Sequence, residues 1–336
     1  MFIVESYSLA IVLSFITMLC WGSWGNTQKL AAKTWRYELF YWDYVIGIVL
    51  LSLIVGFTLG SYGEYGRSFI DDVTQVNSRN FWRAFTGGII FNASNILLSA
   101  SISLAGMSVA FPIGVGLALV LGVFINYFGA PKGDPMILFL GVALIVVAII
   151  LNGVASGKIS KGDEERKTKK KGIIIAICAG ILMSFFYRFV AASMDLSNFS
   201  NPAAGMLTPY GAFFIFSLGI LGSNFIFNTL AMKKPFVGES VTYKQYFSGN
   251  TKTHFVGILG GIIWGVGTVF SYIAAEKAGP AISYALGQGA PMVAALWGVF
   301  IWKEFKGSTK MVNNMLIAMF IFFLTGLALI VVSGGS

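Results

Sequence analysis

The side chains best suited to chemistry in this sequence are two charged residues that lie inside long apolar stretches. Asp43 stands in Tyr-Trp-Asp-Tyr at 41–44, near the start of the apolar stretch 39–59, and Arg188 stands in Phe-Tyr-Arg-Phe. A charge within a membrane span is costly and usually faces a cavity or a partner. Asp43 is predicted either to exchange a proton in a partly dry pocket or to hydrogen-bond at the membrane interface, within a belt of aromatic rings. Arg188 is predicted either to hold an anionic or carbonyl-rich solute or to extend towards the outer interface.

Uncharged polar and aromatic side chains form a second candidate group within the apolar stretches. They occur in Cys-Trp-Gly-Ser-Trp-Gly-Asn-Thr-Gln-Lys at 20–29, in Phe-Asn-Ala-Ser-Asn at 91–95 and in Ser-Tyr-Ala-Leu-Gly-Gln-Gly-Ala-Pro at 283–291. Tryptophan planes together with amide donors and acceptors suit a flat, uncharged solute that forms hydrogen bonds. Close packing of helices is the commoner reason for the glycines in these segments. The predicted solute-binding residues are Trp21, Trp24, Asn26, Asn92, Asn95, Arg188, Trp264, Thr268, Tyr272, Tyr284 and Gln288.

These residues belong to a chain whose composition suits a lipid bilayer. Of its 336 residues, 56% are hydrophobic and 11% are charged, whereas an ordinary soluble domain has about 25% charged residues. Apolar stretches of about 18 or more residues recur from end to end, which predicts an all-α integral membrane protein with ten transmembrane helices. The predicted spans are 8–26, 39–59, 86–104, 108–128, 136–154, 172–194, 207–227, 255–275, 281–302 and 315–332.

The positive charges of the loops predict which side of the membrane each loop occupies. The lysine-rich segment 157–171 divides the spans into two sets of five, and 17 of the 23 Lys and Arg residues lie on its side of the membrane, against 5 on the other. This asymmetry follows the positive-inside rule, so we predict a basic cytoplasmic linker and external chain termini in a multi-pass protein of the cell membrane. It also accounts for the net charge of +9 without a nucleic-acid partner.

Short motifs recur in the two halves of the chain at one offset. Gly-Gly-Ile-Ile at 87–90 returns at 260–263, and Ala-Gly at 105–106 returns at 278–279, in both cases 173 residues later. Because each half would hold five spans, the second copy would cross the bilayer in the opposite direction, and inverted repeats are typical of secondary transporters. The predicted units are a first five-helix repeat over 1–156, a linker over 157–171 and a second five-helix repeat over 172–336.

Five segments spread over the whole chain carry a family resemblance. They are Met-Phe-Ile-Val-Glu-Ser at the start, Tyr-Trp-Asp-Tyr at 41–44, Ile-Asn-Tyr-Phe at 125–128, Tyr-Gly-Ala-Phe-Phe-Ile-Phe-Ser at 210–217 and Leu-Trp-Gly-Val-Phe-Ile-Trp-Lys-Glu-Phe at 296–305. With these segments the chain resembles the ureide permease family of the drug/metabolite transporter superfamily, and its glycine-rich parts are shared with bacterial glucose, ribose and rhamnose porters. The resemblance implies proton-linked uptake of ureides and nucleobases such as allantoin and uracil. It also implies that Asp43 is the leading carboxylate and Asn95 a site residue, whereas Arg188 and the short linker depart from the plant members.

We therefore predict a secondary active transporter of a small polar metabolite, with proton-coupled uptake of a ureide or nucleobase as the first hypothesis and Asp43 as the proton-coupling residue. A sugar uptake porter of the same fold and a multidrug exporter are the alternatives, and the exporter would need a carboxylate deeper in the membrane than Asp43. An integral-membrane enzyme would need clustered His, Asp or Cys side chains within the spans, and the sequence holds no such cluster. No cofactor or metal is predicted. The expected partners are the solute, protons and the lipid bilayer, and the protein is expected to act as a monomer or a homodimer.

Overall fold

A computed structural model describes residues 1–158 and 163–335, in which the long apolar stretches are helical. Ten of the described helices are long and apolar enough to cross a membrane, and each coincides with one of the ten predicted spans. Their bounds are α1 Tyr7–Ala31, α2 Tyr37–Phe57, α3 Ser78–Ala105, α4 Met107–Gly129, α5 Pro135–Gly157, α6 Asp163–Ala191, α7 Pro209–Lys233, α8 Thr251–Ala278, α9 Pro280–Ile301 and α10 Lys310–Gly335. Two short helices, Phe69–Gln75 and Tyr243–Phe247, lie in connections between them.

Two helices extend well beyond their apolar stretch into polar sequence. α3 begins at Ser78 rather than at residue 86, because the side chain of Asn77 caps it by accepting the backbone N–H of Asn80 at 2.9 Å. α6 begins at Asp163, so residues 163–171, which were predicted as linker, are already helical. Hydropathy identifies only the part of a helix that lipid can surround. The helix itself can continue into polar sequence wherever the residues favour a helix and a side chain caps its end. Of the other predicted linker residues, Gly157 ends α5, Lys158 follows it, and residues 159–162 lie outside the described part of the chain.

The connections between the helices alternate between two faces of the bundle. One face, here called the terminal face, holds both chain ends and the connections 58–77, 130–134 and 192–208. A hydrogen bond from Gly66 N–H to Ser200 O at 2.8 Å joins the connections 58–77 and 192–208. The linker face holds the connection between α5 and α6 together with the connections 32–36, 234–242 and 302–309. This alternation places both termini on one face, and the assignment of that face to the outside of the cell stays a prediction.

Glycines permit two very close crossings of helix pairs. A Cβ atom on Gly261 of α8 would lie 2.0 Å from Tyr44 O of α2, and one on Gly88 of α3 would lie 2.1 Å from Phe216 O of α7. The backbones touch at these points, which requires the smallest residue. Gly88 and Gly261 occupy the same position in the recurring Gly-Gly-Ile-Ile motif, and α3 and α8 are both 28 residues long with a capping asparagine. A duplicated unit would retain such correspondences, and the inverted repeat itself stays a prediction.

Three of the spans are irregular near the middle of the bundle. α1 breaks at Trp24, α9 is interrupted at Gln288, and α4 contains a wider π-helical turn at Phe111–Val115. The break at Gln288 follows from the two glycines beside it and from Pro291, which can begin a helix but cannot continue one. Irregular backbone at membrane depth is tolerated where it is buried in protein or lines a cavity. The three irregular segments therefore point to a shared internal site.

Candidate functional site

A small cavity lies where the irregular parts of α1, α4 and α9 meet α3, α6 and α8. It has a volume of about 20 Å³, which is enough for about one water molecule. None of the described side chains that line it carries a charge. The lining residues are Trp21, Trp24, Phe91, Asn95, Leu98, Phe111, Val115, Met183, Phe186, Trp264, Gln288 and Ala290.

Aromatic rings form the walls of this central cavity. The ring of Trp264 lies 4.2 Å from that of Phe91 and 6.0 Å from that of Trp21, with interplanar angles of 29° and 9°. The indole N–H of Trp21 donates to Thr268 Oγ1 at 3.1 Å, which fixes the orientation of the ring. Because stacked atoms touch at about 3.5 Å, a flat solute between Trp21 and Trp264 needs their planes about 7 Å apart. The structure is therefore a closed form, in which the walls must separate to admit a solute.

Two side-chain amides present unpaired atoms at the cavity. Nδ2 of Asn95 is buried and makes no close hydrogen bond in the described part of the chain, although this side chain interacts with the hydroxyls of Tyr41 and Tyr44. Oε1 of Gln288 is likewise buried without a close hydrogen bond, although its side chain interacts with the hydroxyl of Tyr284. A buried polar atom without a partner costs about 1–3 kcal/mol, so it is tolerated best where a ligand can supply the partner. The cavity thus offers one amide donor and one amide acceptor between aromatic planes.

Five of the predicted solute-binding residues line this cavity together, and they come from four different helices. Thr268 lies one layer behind them, since it holds Trp21 and also donates to Trp264 O at 3.0 Å. The five are Trp21, Trp24, Asn95, Trp264 and Gln288.

Three predicted residues lie away from the cavity. Asn26 Oδ1 accepts the indole N–H of Trp302 at 2.6 Å, so this amide joins α1 to the end of α9. Asn92 Nδ2 donates to Ser223 Oγ at 2.9 Å, which joins α3 to α7. Arg188 is half-buried in the last turn of α6, at the terminal face. In this closed form these three side chains serve contacts between helices or lie near the surface.

Tyr272 and Tyr284 lie in a cluster of hydroxyl groups next to the cavity, on the side of the terminal face. The hydroxyl of Tyr284 donates to Ala118 O at 3.1 Å, and the ring of Tyr272 lies 5.5 Å from that of Tyr187. The hydroxyl of Tyr187 in turn donates to Ser271 O at 3.1 Å. These tyrosines support the cavity from behind rather than lining it.

Asp43 lies outside the central cavity, in a second polar cluster near the linker face. Its Oδ1 accepts the hydroxyl of Tyr246 at 2.7 Å and lies 2.8 Å from His254 Nδ1, and its Oδ2 accepts the indole N–H of Trp35 at 3.3 Å. The side chain of Asp43 is 2% exposed, whereas that of His254 is 23% exposed. The histidine therefore connects a buried carboxylate to water.

Sequence reasoning missed the partners of Asp43 because all of them come from outside its own helix. Trp35 precedes α2, Tyr246 belongs to the short helix Tyr243–Phe247, and His254 lies in the first turn of α8. One signal was present, since His254 is the only histidine of the chain and stands at the edge of an apolar stretch. Sequence reasoning instead stressed the neighbours of Asp43 in the chain, which point in other directions because successive helix residues are about 100° apart.

An ion pair between Lys29 and Glu304 closes another part of the linker face. Lys29 Nζ contacts Glu304 Oε1, and Oε2 of the same carboxylate accepts the backbone N–H of Ser108 at 2.9 Å. Burial acts to raise the pKa of Glu304, but Lys29 and Ser108 together outweigh it and hold the pKa below its usual value of 4.5. The carboxylate is thus ionised, and it ties the end of α1 to the start of α4.

Ten apolar helices around a small uncharged internal cavity define a multi-pass membrane protein. The sequence profile described as Ureide permease matches residues 40–171 and 165–333. This chain belongs to the ureide permease family, and the family identifies it as a membrane transporter.

Individual relatives extend over nearly the full length of the chain. It is 24% identical to ureide permease 1 of Arabidopsis thaliana, with 100% of this chain and 99% of the relative covered. It is also 26% identical to the glucose uptake protein GlcU of Bacillus subtilis (strain 168), with 90% and 91% covered. A solved protein crystal structure matches with a TM-score of 0.59 at 15% identity, covering 97% of this chain and 96% of that one, and this likeness concerns the fold alone.

Proposed function

We propose that this protein takes up a small, flat, uncharged metabolite of the ureide or nucleobase class, such as allantoin or uracil. The observation that carries the proposal is the pair of buried amide atoms without a close hydrogen bond, Asn95 Nδ2 and Gln288 Oε1, between the aromatic walls of the central cavity. Ureides and nucleobases carry N–H donors and carbonyl acceptors on a planar frame, so one such solute would satisfy both amides and stack on the rings. An uncharged lining suits an uncharged solute, because a buried charge without a partner is strongly unfavourable.

A sugar is the second candidate solute, because some relatives of this chain are named as glucose uptake proteins. A pyranose carries hydroxyl groups around its whole rim and requires more partners than two amide atoms. The near-parallel rings of Trp21 and Trp264, inclined by 9°, favour a flat solute instead. A lipophilic cation, the substrate expected of a multidrug exporter, would require a carboxylate in the cavity, and the described lining contains none.

We assign the coupling proton to Asp43, assisted by His254. The supporting geometry is a carboxylate that is 2% exposed and lies 2.8 Å from a ring nitrogen of a partly exposed histidine. Histidine is the side chain whose unperturbed pKa lies closest to neutrality, so it can pass a proton between water and a buried acid. In this arrangement Asp43 would release its proton at the linker face when the protein opens there.

The two faces of the bundle are assigned to the two sides of the cell membrane. The linker face is assigned to the cytoplasm and the terminal face to the outside of the cell membrane, on the basis of the positive charges around the linker. Transport requires only binding and a change of access, so the proposal includes neither a chemical reaction nor a cofactor. The permease names of the relatives support this assignment.

A thermal-unfolding screen of the purified protein tests the solute class. Uracil or allantoin should raise the unfolding temperature with increasing concentration, since a ligand at 100 times its Kd stabilises the folded state by about 2.7 kcal/mol. The shift should be lost in Gln288→Ala and retained in Asn126→Ala, which removes another buried amide that lies away from the cavity. Stabilisation by glucose but by neither uracil nor allantoin would instead assign the cavity to a sugar.

A further inference from the structure

Six of the sixteen buried side-chain atoms that make no close hydrogen bond among the described residues form a band that begins at the central cavity. Such atoms are rare in folded proteins, because each costs about 1–3 kcal/mol. The six lie on facing sides of α1, α2 and α3, where a polar solute could supply partners, and the side chain of Asn95 also interacts there with the hydroxyls of Tyr41 and Tyr44. The six atoms are Asn95 Nδ2, Tyr44 OH, Tyr41 OH, Ser99 Oγ, Gln28 Oε1 and Tyr37 OH.

Three helices build this polar band by presenting residues at the spacing of a helical turn. Residues three or four apart share one face of a helix, so each of these helices offers a continuous polar face that starts at the cavity. At 1.5 Å per residue, the face on α3 reaches about 12 Å from the cavity towards the linker face. The faces consist of Trp24 and Gln28 on α1, Tyr44, Tyr41 and Tyr37 on α2, and Asn95, Ser99 and Ser103 on α3.

The polar band ends in a pocket of about 240 Å³ at the linker face. Gln28 lies between this pocket and the inner part of the band, because its Nε2 donates to Ser99 O at 2.9 Å and to Ser103 Oγ at 3.3 Å. The side chain of Gln28 is buried, whereas Ser103 is exposed. Arg36 covers part of the mouth by donating to Val237 O at 2.8 Å. The pocket is lined by Gln28, Ala32, Trp35, Arg36, Tyr37, Ser103 and Val237.

We infer that the polar band is the passage by which the solute moves between the central cavity and the linker face, and that Gln28 is the side chain that closes it. The inference rests on the proposed transport of a small solute. A solute that leaves Asn95 finds new partners at Ser99, Tyr41 and Gln28, so it does not lose all its hydrogen bonds at once. The groups of the band between the cavity and Ser103 are hydroxyls and amides, which fits an uncharged solute with both donors and acceptors.

Cysteine accessibility tests the passage in a chain whose two native cysteines, Cys20 and Cys178, are replaced by alanine. The test variants carry Ser99→Cys or Ser103→Cys, and the matched control carries Ser101→Cys. Ser101 is as fully buried as Ser99, but its hydroxyl donates to Gly172 O at 2.8 Å, on the side of α3 that packs on α6. It also lies about 3 Å nearer to the linker face than Ser99, so depth alone would favour labelling of the control.

The reagent is a membrane-impermeant methanethiosulfonate, added to oriented membranes from the linker face without any solute. We expect Ser103→Cys to react fastest and Ser99→Cys to react at least about tenfold faster than Ser101→Cys, because only the polar band opens to water during local opening. Adding Gln28→Ala should accelerate labelling of Ser99→Cys severalfold and leave Ser101→Cys unchanged. Total thiol content after denaturation confirms that each variant is present, and a monodisperse peak in size-exclusion chromatography confirms that each is folded.

The passage is refuted if Ser99→Cys reacts no faster than Ser101→Cys. If Gln28→Ala leaves the labelling of Ser99→Cys unchanged, Gln28 does not close the passage and the assignment of its role is overturned. Because labelling is measured without solute, its result is independent of the thermal screen. Failure of the proposed solute class and failure of the passage are therefore distinguishable.

Discussion

Replacement of Asp43 by asparagine tests whether this buried carboxylate carries the coupling proton. Asparagine keeps the size of the side chain and an oxygen that can accept the hydroxyl of Tyr246, but it cannot ionise. In the wild type the carboxylate has three polar neighbours, at 2.7 Å from Tyr246 OH, 2.8 Å from His254 Nδ1 and 3.3 Å from Trp35 Nε1. The substitution therefore removes the charge and retains most of the local geometry.

The expected effects on stability and on transport differ in size. A hydrogen bond to a charged group contributes about 1.5–3 kcal/mol and one between neutral groups about 0.5–1.5 kcal/mol, so the variant should lose about 1–3 kcal/mol and still fold. A difference of one pH unit across the membrane provides about 1.36 kcal/mol for each proton that crosses it. If one proton is coupled to each solute molecule, this free energy can support at most about a tenfold accumulation of the solute. Without an ionisable group at position 43, the accumulation ratio should fall to about one.

The assay uses proteoliposomes whose lumen is one pH unit more alkaline than the outer buffer, with radiolabelled uracil or allantoin. Asp43→Asn should abolish accumulation against a gradient while retaining exchange of internal for external solute. Asp71→Asn provides the matched control, because Asp71 is an exposed carboxylate of the terminal face and should keep full coupling. If Asp43→Asn accumulates solute with the pH dependence of the wild type, Asp43 is structural and the coupling assignment is wrong.

Three further predictions concern stability and topology. Glu304→Gln should reduce the free energy of unfolding by about 1–3 kcal/mol at pH 7. The difference in stability between wild type and variant, measured by thermal unfolding, should shrink as the pH falls below 4.5. The reason is that a carboxyl group with a lowered pKa stabilises the fold only while it is ionised. Gly261→Ala should lower the yield of monodisperse protein in size-exclusion chromatography, since its Cβ would lie 2.0 Å from Tyr44 O, whereas Gly153→Ala meets no atom within 4 Å and should be tolerated. A reporter fused after residue 165 should be cytoplasmic and one at the C-terminus external, and a cytoplasmic C-terminus would overturn the orientation.

The ten spans could be predicted because a bilayer demands an apolar stretch of nearly fixed length. The ends of the helices were predicted less accurately than the spans. A hydropathy profile shows neither the cap at Asn77 nor the helical conformation of the polar first turns of α6. The interruption at Gln288 was visible as two glycines and a proline, and the break at Trp24 has Gly22 and Gly25 beside it but no proline. Local residue types therefore marked both places, but they did not show that the helix breaks at each.

The composition of the central cavity could be predicted in part, because tryptophan and amide side chains inside spans are costly without a role. Which of them meet depends on helix rotation, which a single sequence does not reveal. Asn92 and Asn95 differ by only about 60° around α3, yet Asn95 lines the cavity and Asn92 bonds to Ser223. The partners of Asp43 were missed for a related reason, since contacts between distant segments form only when the bundle assembles.

The most direct test of the central claim is a calorimetric measurement of solute affinity for the wild type and for Asn95→Ala, with Asn126→Ala as the matched control. Asn95 lines the cavity, whereas Asn126 lies outside the lining: its Nδ2 donates to Gly122 O of its own helix at 2.8 Å, and its Oδ1, like Nδ2 of Asn95, makes no close hydrogen bond. The two variants therefore differ in their position relative to the cavity. If the cavity is the site, Asn95→Ala should raise the Kd for uracil or allantoin about five- to a hundredfold, the equivalent of about 1–3 kcal/mol, and Asn126→Ala should leave it nearly unchanged. Equal affinities of the wild type and Asn95→Ala would contradict the account and place the solute elsewhere.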